Sequence, residues 1–146
     1  MQLKTLTIED INEIKQFFRN VFTNPPWNED WSNDEQLTAY INDLAGCFNS
    51  VCFGYFDADK MVGLCLGNKR HWWGGTEYVI EEFCVLTQLQ GSGIGTSFLH
   101  DIEASIKSYG MEQIYLCTDR DKPAYNFYLK RGFKELTDHV SFFKQL

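Results

Sequence analysis

Gln90-Gly91-Ser92-Gly93-Ile94-Gly95-Thr96 stands where an apolar strand pattern, Tyr78 to Leu86, gives way to a helical one. Glycines at alternate positions let a backbone come close to a ligand, and the free N–H groups at a helix start attract an anion such as a pyrophosphate. A dinucleotide fingerprint needs glycine at the sixth position of Gly-x-Gly-x-x-Gly, where Thr96 stands, and it belongs after a first strand rather than a late one. A P-loop needs a Gly-Lys-Ser/Thr ending, and the loop has no lysine. A purely structural glycine turn is the remaining alternative.

On the carboxyl side of the loop, Ile94, Phe98, Ile102 and Ile106 make the apolar face of a helix closed by Gly110. Gln113 to Thr118 reads as a strand, and Pro123 to Lys130 as a short helix with proline in its first turn. Gly132-Phe133 then leads into an expected final pair of strands ending near Phe143. On the amino side, Val51 to Phe56 and Met61 to Leu66 form a hairpin over Asp57-Ala58-Asp59-Lys60. A Gly-Gly turn at 74–75 precedes the long strand from Tyr78. Further back, Ile11, Ile14, Phe17, Phe18, Val21 and Phe22 recur at helical spacing up to Pro25-Pro26. A second helix, capped at Ser32-Asn33-Asp34-Glu35, carries Leu37, Tyr40, Ile41 and Leu44 and stops at Gly46. With a short strand at Leu3 to Leu6, the predicted order is β-α-α-β-β-β-α-β-α-β-β, an α/β class with one right-handed parallel crossover between 78 and 118.

No repeat, linker or composition shift divides the 146 residues, so residues 1–146 are expected to form a single domain. An apolar share of 44% argues against disorder. No 18-residue apolar run predicts a membrane helix, and the first residues do not read as a signal peptide, so a cytoplasmic location is expected with no membrane partner. Residues 1–60 hold ten acids and four bases (net −6), and residues 61–146 ten acids and nine bases (net −1). That balance speaks against nucleic acid, which needs a basic face, and allows a cationic ligand at the amino-terminal third. Five scattered cysteines without a Cys-x-x-Cys pair read as reduced thiols, and the three histidines lack metal-ligand spacing, so no metal is expected.

Gln90-x-x-Gly93-x-Gly95 resembles the first signature of the GCN5-related (GNAT) acetyltransferase superfamily, Gln/Arg-x-x-Gly-x-Gly/Ala. Ala124-Tyr125-Asn126-Phe127-Tyr128-Leu129-Lys130-Arg131-Gly132-Phe133 resembles the second, Ala-x-x-Phe-Tyr-x-x-x-Gly-Phe. The resemblance implies a GNAT fold, with a mixed central sheet of about six to seven strands and helices on both faces. It also implies acetyl-CoA as cosubstrate. The amides of Gln90, Gly91, Ser92, Gly93, Ile94, Gly95 and Thr96 would then meet the CoA pyrophosphate. Backbone of Phe83, Cys84 and Val85 would pair with the pantetheine arm, in the manner of an added strand. Asp121 stands where the family often has a cofactor-holding asparagine, and a carboxylate there cannot donate a hydrogen bond.

Acyl transfer to an amine needs a base for the attacking nitrogen and an acid for the departing thiolate. Tyr78 to Val85 resembles the matching strand of spermidine/spermine N-acetyltransferases, which makes Glu81 the base candidate, with Glu82 second or as an amine-binding carboxylate. Alternation along a strand suggests that only one of the two faces a given cleft. Tyr128 falls on the family's tyrosine near the sulfur, and a phenol is a reasonable acid for a thiolate. The loop between the first two helices supplies Trp27, Glu29, Asp30 and Trp31 as candidate contacts to a cationic acceptor, with Tyr78, Trp72 and Trp73 on the other wall. The expectation is an acetyl-CoA-dependent N-acetyltransferase acting on a small amine such as an aminoglycoside or polyamine. Alternatives are a protein or peptide acetyltransferase and a non-catalytic CoA-binding module. The aromatic final strand (Val140, Phe142, Phe143) could pair edge to edge into a homodimer.

Overall fold

The computed structural model of the protein describes residues 1–146. Five strands form one sheet in the order β1-β2-β3-β4-β5, with β1 at Gln2–Leu6, β2 at Cys52–Asp57, β3 at Lys60–Trp72, β4 at Gly75–Val85 and β5 at Gln113–Leu116. The first four are mutually antiparallel, while β5 lies parallel to β4. The helices are α1 (Ile11–Phe22), α2 (Asp34–Ala45), α3 (Ile94–Ser108) and α4 (Pro123–Leu129). The parallel β4–β5 pair is joined through α3, the crossover that the sequence predicts.

Helices cover opposite faces of the sheet, and adjacent residues of β4 show it. Phe83 stacks on Phe98 of α3, with ring centroids 5.1 Å apart, whereas Glu82 meets Tyr40 of α2. The α1 face buries Ile14, Phe17, Phe18, Val21 and Phe22, the residues picked out by helical spacing. On the other side, Gly63 of β3 lies directly beneath the Phe98 ring, where an added Cβ would come within 2.8 Å of it. Asn33, rather than Ser32, caps α2, its side-chain oxygen accepting from the Gln36 amide at 3.1 Å.

Two strand expectations need correction. β3 runs past Leu66 as far as Trp72, and it pairs with β4 through a hairpin turning at residues 73–74. The expected final pair of strands does not form, so the sheet has five strands rather than six or seven. A turn closed by His139 N–H onto the Leu136 carbonyl breaks the segment. Beyond it Phe142 and Phe143 are adjacent apolar residues that do not follow the two-residue period of a half-buried strand. Both are more than nine-tenths exposed, so the edge-pairing strand expected of this segment is not present within the chain.

Candidate active site

β5 is short, and that opens a notch in the sheet. Its pairing with β4 ends at Ile80–Leu116, while β4 continues to Val85 with no partner on that side. A cavity of about 310 Å³ fills the notch, lined by Ile80 to Phe83 of β4, Leu116 to Asp119 after β5, and Ala124 and Tyr128 of α4. Phe22, Trp27 and Glu29 close it from the α1–α2 side, and Ser141 of the carboxyl-terminal segment borders it. Main-chain groups of Glu81 to Val85 therefore stand beside an extended slot, as an added strand or an amide-bearing arm would require.

At one end of the slot the glycine loop turns into α3. Gly91 and Gly93 have φ of 78° and 90°, the left-handed region that disfavours side chains. The amides of Gly91, Gly93, Ile94 and Gly95 make no hydrogen bond within the chain, so four donors lie together at the start of a 15-residue helix. Gly95 lies against the Phe127 ring, which ties this helix start to α4. Arg131, just beyond α4, donates from its guanidinium to the Thr96 hydroxyl (Nε to Oγ1, 3.1 Å) and leans over the Phe127 ring. A fixed positive charge thus flanks the free amides, and the arrangement fits a diphosphate. Asp121 is exposed in the turn before α4 and does not border the cavity.

Glu81 and Glu82 both border the cavity, as do Ile80 and Phe83, because it runs along the open edge of β4. A β-bulge at Leu66/Gly67 makes Glu81 the extra residue, between Glu82 opposite Leu66 and Ile80 opposite Gly67. Glycine is needed at 67, since a Cβ there would come within 2.4 Å of the Val79 carbonyl. The carboxylates then diverge. Glu81 is exposed and accepts from Asn68 Nδ2 at 3.2 Å. Glu82 turns inward and accepts from the Tyr40 hydroxyl at 2.5 Å. Burial, with Glu29 and Glu81 adding negative charge nearby, pushes the Glu82 carboxyl up to about 7, against the pull of the Tyr40 hydrogen bond.

Tyr128 is 8% exposed, and its hydroxyl makes no hydrogen bond within the chain although the residue lines the cavity. Burial raises its pKa well above the ordinary phenol range, so it is a protonated donor at neutral pH. Its ring packs against Phe127, Phe133 and Phe83. The other tyrosine of the sequence reading belongs elsewhere. Tyr78 is wholly buried and its hydroxyl donates to the Val51 carbonyl at 2.8 Å, so it is a core residue and not an acceptor contact.

The α1–α2 loop divides in the same way. Trp27 and Glu29 line the cavity. Trp31 stacks on Tyr40 at 5.1 Å and donates from its indole to Glu29 at 2.6 Å, while Asp30 accepts from the Ser32 amide and does not border the cavity. Trp72 and Trp73 sit at the exposed β3–β4 hairpin tip and border no part of the cavity. Sequence reasoning missed Tyr40, Asp119 and Arg131. Tyr40 was legible only as one position on an apolar helix face, and Arg131 only as a spacer in the second motif.

Residues 11–133 match the acetyltransferase (GNAT) family. No curated protein matches the chain at the sequence level. Among solved structures, an aminoglycoside acetyltransferase from an uncultured soil metagenomic sample, in complex with sisomicin, superposes with a TM-score of 0.80 at 19% identity, covering 99% of this chain and 95% of that one. AAC(6')-Iy in complex with a bisubstrate analog, CoA-S-monomethyl-acetylneamine, gives 0.76 at 12% identity, over 99% and 97% of the two chains. A predicted acetyltransferase from Clostridium acetobutylicum with acetyl-CoA gives 0.75 at 15% identity, over 97% and 94%. At such identities the likeness is one of fold.

Proposed function

The chain belongs to the acetyltransferase (GNAT) family, and from that premise we propose that it acetylates a primary amine of a small cationic acceptor, with Glu82 as base and Tyr128 as acid. Membership makes it an acetyl-CoA-dependent N-acetyltransferase. The observation that carries the finer reading is the inward-turned, hydrogen-bonded Glu82 in the same cavity as the unpartnered Tyr128 hydroxyl. Acetyl-CoA supplies the activated acetyl thioester. The free amides of 91 and 93–95, with Arg131 beside them, hold its diphosphate, and the open side of β4 holds its amide arm.

Glu82, poised near neutrality, accepts the proton that the acceptor nitrogen sheds as the new N–C bond forms. As the C–S bond breaks, Tyr128 gives its proton to the sulfur, and the deprotonated phenol recovers one from solvent. The base role thus passes from Glu81 to Glu82. Glu81 is exposed and held by Asn68, which suits it to pairing with an ammonium group. Glu29, Glu81, Glu82 and Asp119 put four carboxylates around the cavity beside the Trp27 ring, a surrounding that favours a cation bearing more than one amine.

A panel of aminoglycosides, polyamines and lysine peptides, read by thiol release, tests this reading. Small polyamines or aminoglycosides are expected to turn over, and Glu82→Gln to lose about a hundredfold or more in turnover with acetyl-CoA affinity kept. Glu81→Gln should act mainly on acceptor KM. Turnover of peptides alone would remove the small-amine reading. A Glu82→Gln enzyme as fast as the parent would remove the base.

A further inference from the structure

We infer that Tyr40 is a positioning residue for Glu82, fixing which carboxylate oxygen faces the cavity and setting the pH at which that carboxylate is free to take a proton. The inference rests on the reading of Glu82 as base, but its hold on Glu82 is measurable apart from turnover.

The two residues are 42 positions apart and meet across the α2–β4 packing. A carboxylate can only accept, so at 2.5 Å the phenol donates its single proton to Oε1. Burial, followed by the charge of Glu82, raises the Tyr40 pKa far above neutrality, so the phenol remains the donor throughout the working range. Oε1 is therefore occupied, and Oε2 is the oxygen left for an incoming proton. When Glu82 is protonated on Oε2, Oε1 still accepts from Tyr40, and neither side chain has to move.

The ring is held as well as the hydroxyl. Tyr40 stacks on Trp31 at 5.1 Å with planes 21° apart, and Phe18 stands edge-on to it at 5.9 Å. Trp31 is in turn fixed by its indole hydrogen bond to Glu29 and by Arg19 Nε, which donates to the Trp31 carbonyl at 3.1 Å. The acceptor loop and the base thus share one chain of contacts, Glu29 to Trp31 to Tyr40 to Glu82. The other titratable groups around Glu82 are Glu81 beside it on β4, Glu29 from the loop, Tyr128 from α4, and the buried thiols Cys65 on β3 and Cys84 on β4. The carboxylates among them repel its charge. Tyr40 is the group that favours the charged form by a hydrogen bond.

Tyr40→Phe keeps the ring and its stack and deletes that one hydrogen bond. The Glu82 titration, followed by NMR of its labelled side-chain carboxyl carbon, is expected to rise from about 7 to about 8 or above, since a hydrogen bond to a charged group is lost. The acid limb of the kcat profile should move with it. Turnover at pH 7 then falls roughly five- to tenfold and recovers toward the parent near pH 9, with CoA affinity unchanged. Trp31→Leu, which leaves the hydroxyl but removes the stacking ring, should shift both readouts the same way by less. An unmoved carboxyl titration, or a loss of rate by the same factor at every pH, would overturn the inference. A shifted titration beside an unmoved rate profile would uphold the Tyr40 contact and reject Glu82 as base.

Discussion

The two ends of the slot along β4 are built from different material. At the α3 end, four free amides and two left-handed glycines present main chain to a ligand, with Arg131 as the one added charge. At the α1–α2 end, contacts run side chain to side chain, from Glu29 through Trp31 and Tyr40 to Glu82. A site made of backbone depends on where glycine stands, so each substitution there acts through conformation. A site made of side-chain hydrogen bonds depends on partners far apart in the chain, so each substitution there acts through protonation and reach.

The sharpest way to break that contrast is Gly93→Ala. With φ at 90°, a Cβ at 93 costs about 2 kcal/mol, although no neighbouring atom stands in its way. If the substituted loop relaxes out of that conformation when unliganded, binding must restore it, and CoA affinity, followed by calorimetry, is expected to weaken by up to roughly thirtyfold. Gly93→Asn, which tolerates the left-handed region better, should recover part of the loss. The Glu82 titration should stay where it is. If it moved, the two ends would not be separate devices.

Tyr128 lies between the ends, and its substitution sharpens the division. Tyr128→Phe keeps the ring that packs on Phe127 and Phe133 and removes only a hydroxyl with no partner in the chain. Turnover is expected to fall about tenfold while CoA affinity and the acceptor KM hold. A leaving thiol of lower pKa in place of CoA should shrink that deficit, because it needs the proton less. An unchanged turnover would take Tyr128 out of the chemistry and leave it as packing.

The contrast also explains what the sequence disclosed. Loop 90–96 and Phe127-Tyr128 are contiguous, and a strand pattern passing into a helical one marks the place, so the family and the fold are both legible from them. Tyr40 sits among Leu37, Ile41 and Leu44 on a helix face, where an aromatic residue is indistinguishable from core until β4 is set against it. Tyr78 erred the other way. The sequence reading puts it on the acceptor wall, but its full burial and its hydroxyl bond to the Val51 carbonyl put it in the core. The bulge at Leu66/Gly67 leaves Glu81 without a partner between Ile80 and Glu82, and no local pattern announces it beyond the presence of Gly67. The absent last strands show the remaining gap, since strand-like composition after Phe133 met no ladder partner.

The smallest expected effect concerns stability rather than rate. The folded-state pKa of Glu82 is raised to about 7 by burial, above the ordinary carboxylate value. Folding therefore binds the proton more tightly than the unfolded chain does, and the charged form is the one that the fold disfavours. At pH 4 the residue is mostly protonated in both states and the penalty is small. As pH rises from about 4.5 to about 7 the penalty grows, and above about 7 it is constant. Glu82→Gln removes the charge and keeps an oxygen for Tyr40 to donate to. It should stabilise the protein by about 1 kcal/mol at pH 8, less than the full pKa interval because cavity water screens the carboxylate. At pH 4 denaturant melts of the two proteins should nearly coincide. Equal stability at both pH values would mean that Glu82 is solvated like Glu81, and the acceptor end would lose the buried base on which its reading depends. A gain at pH 8 alone would mark Glu82 as a residue kept for function against stability.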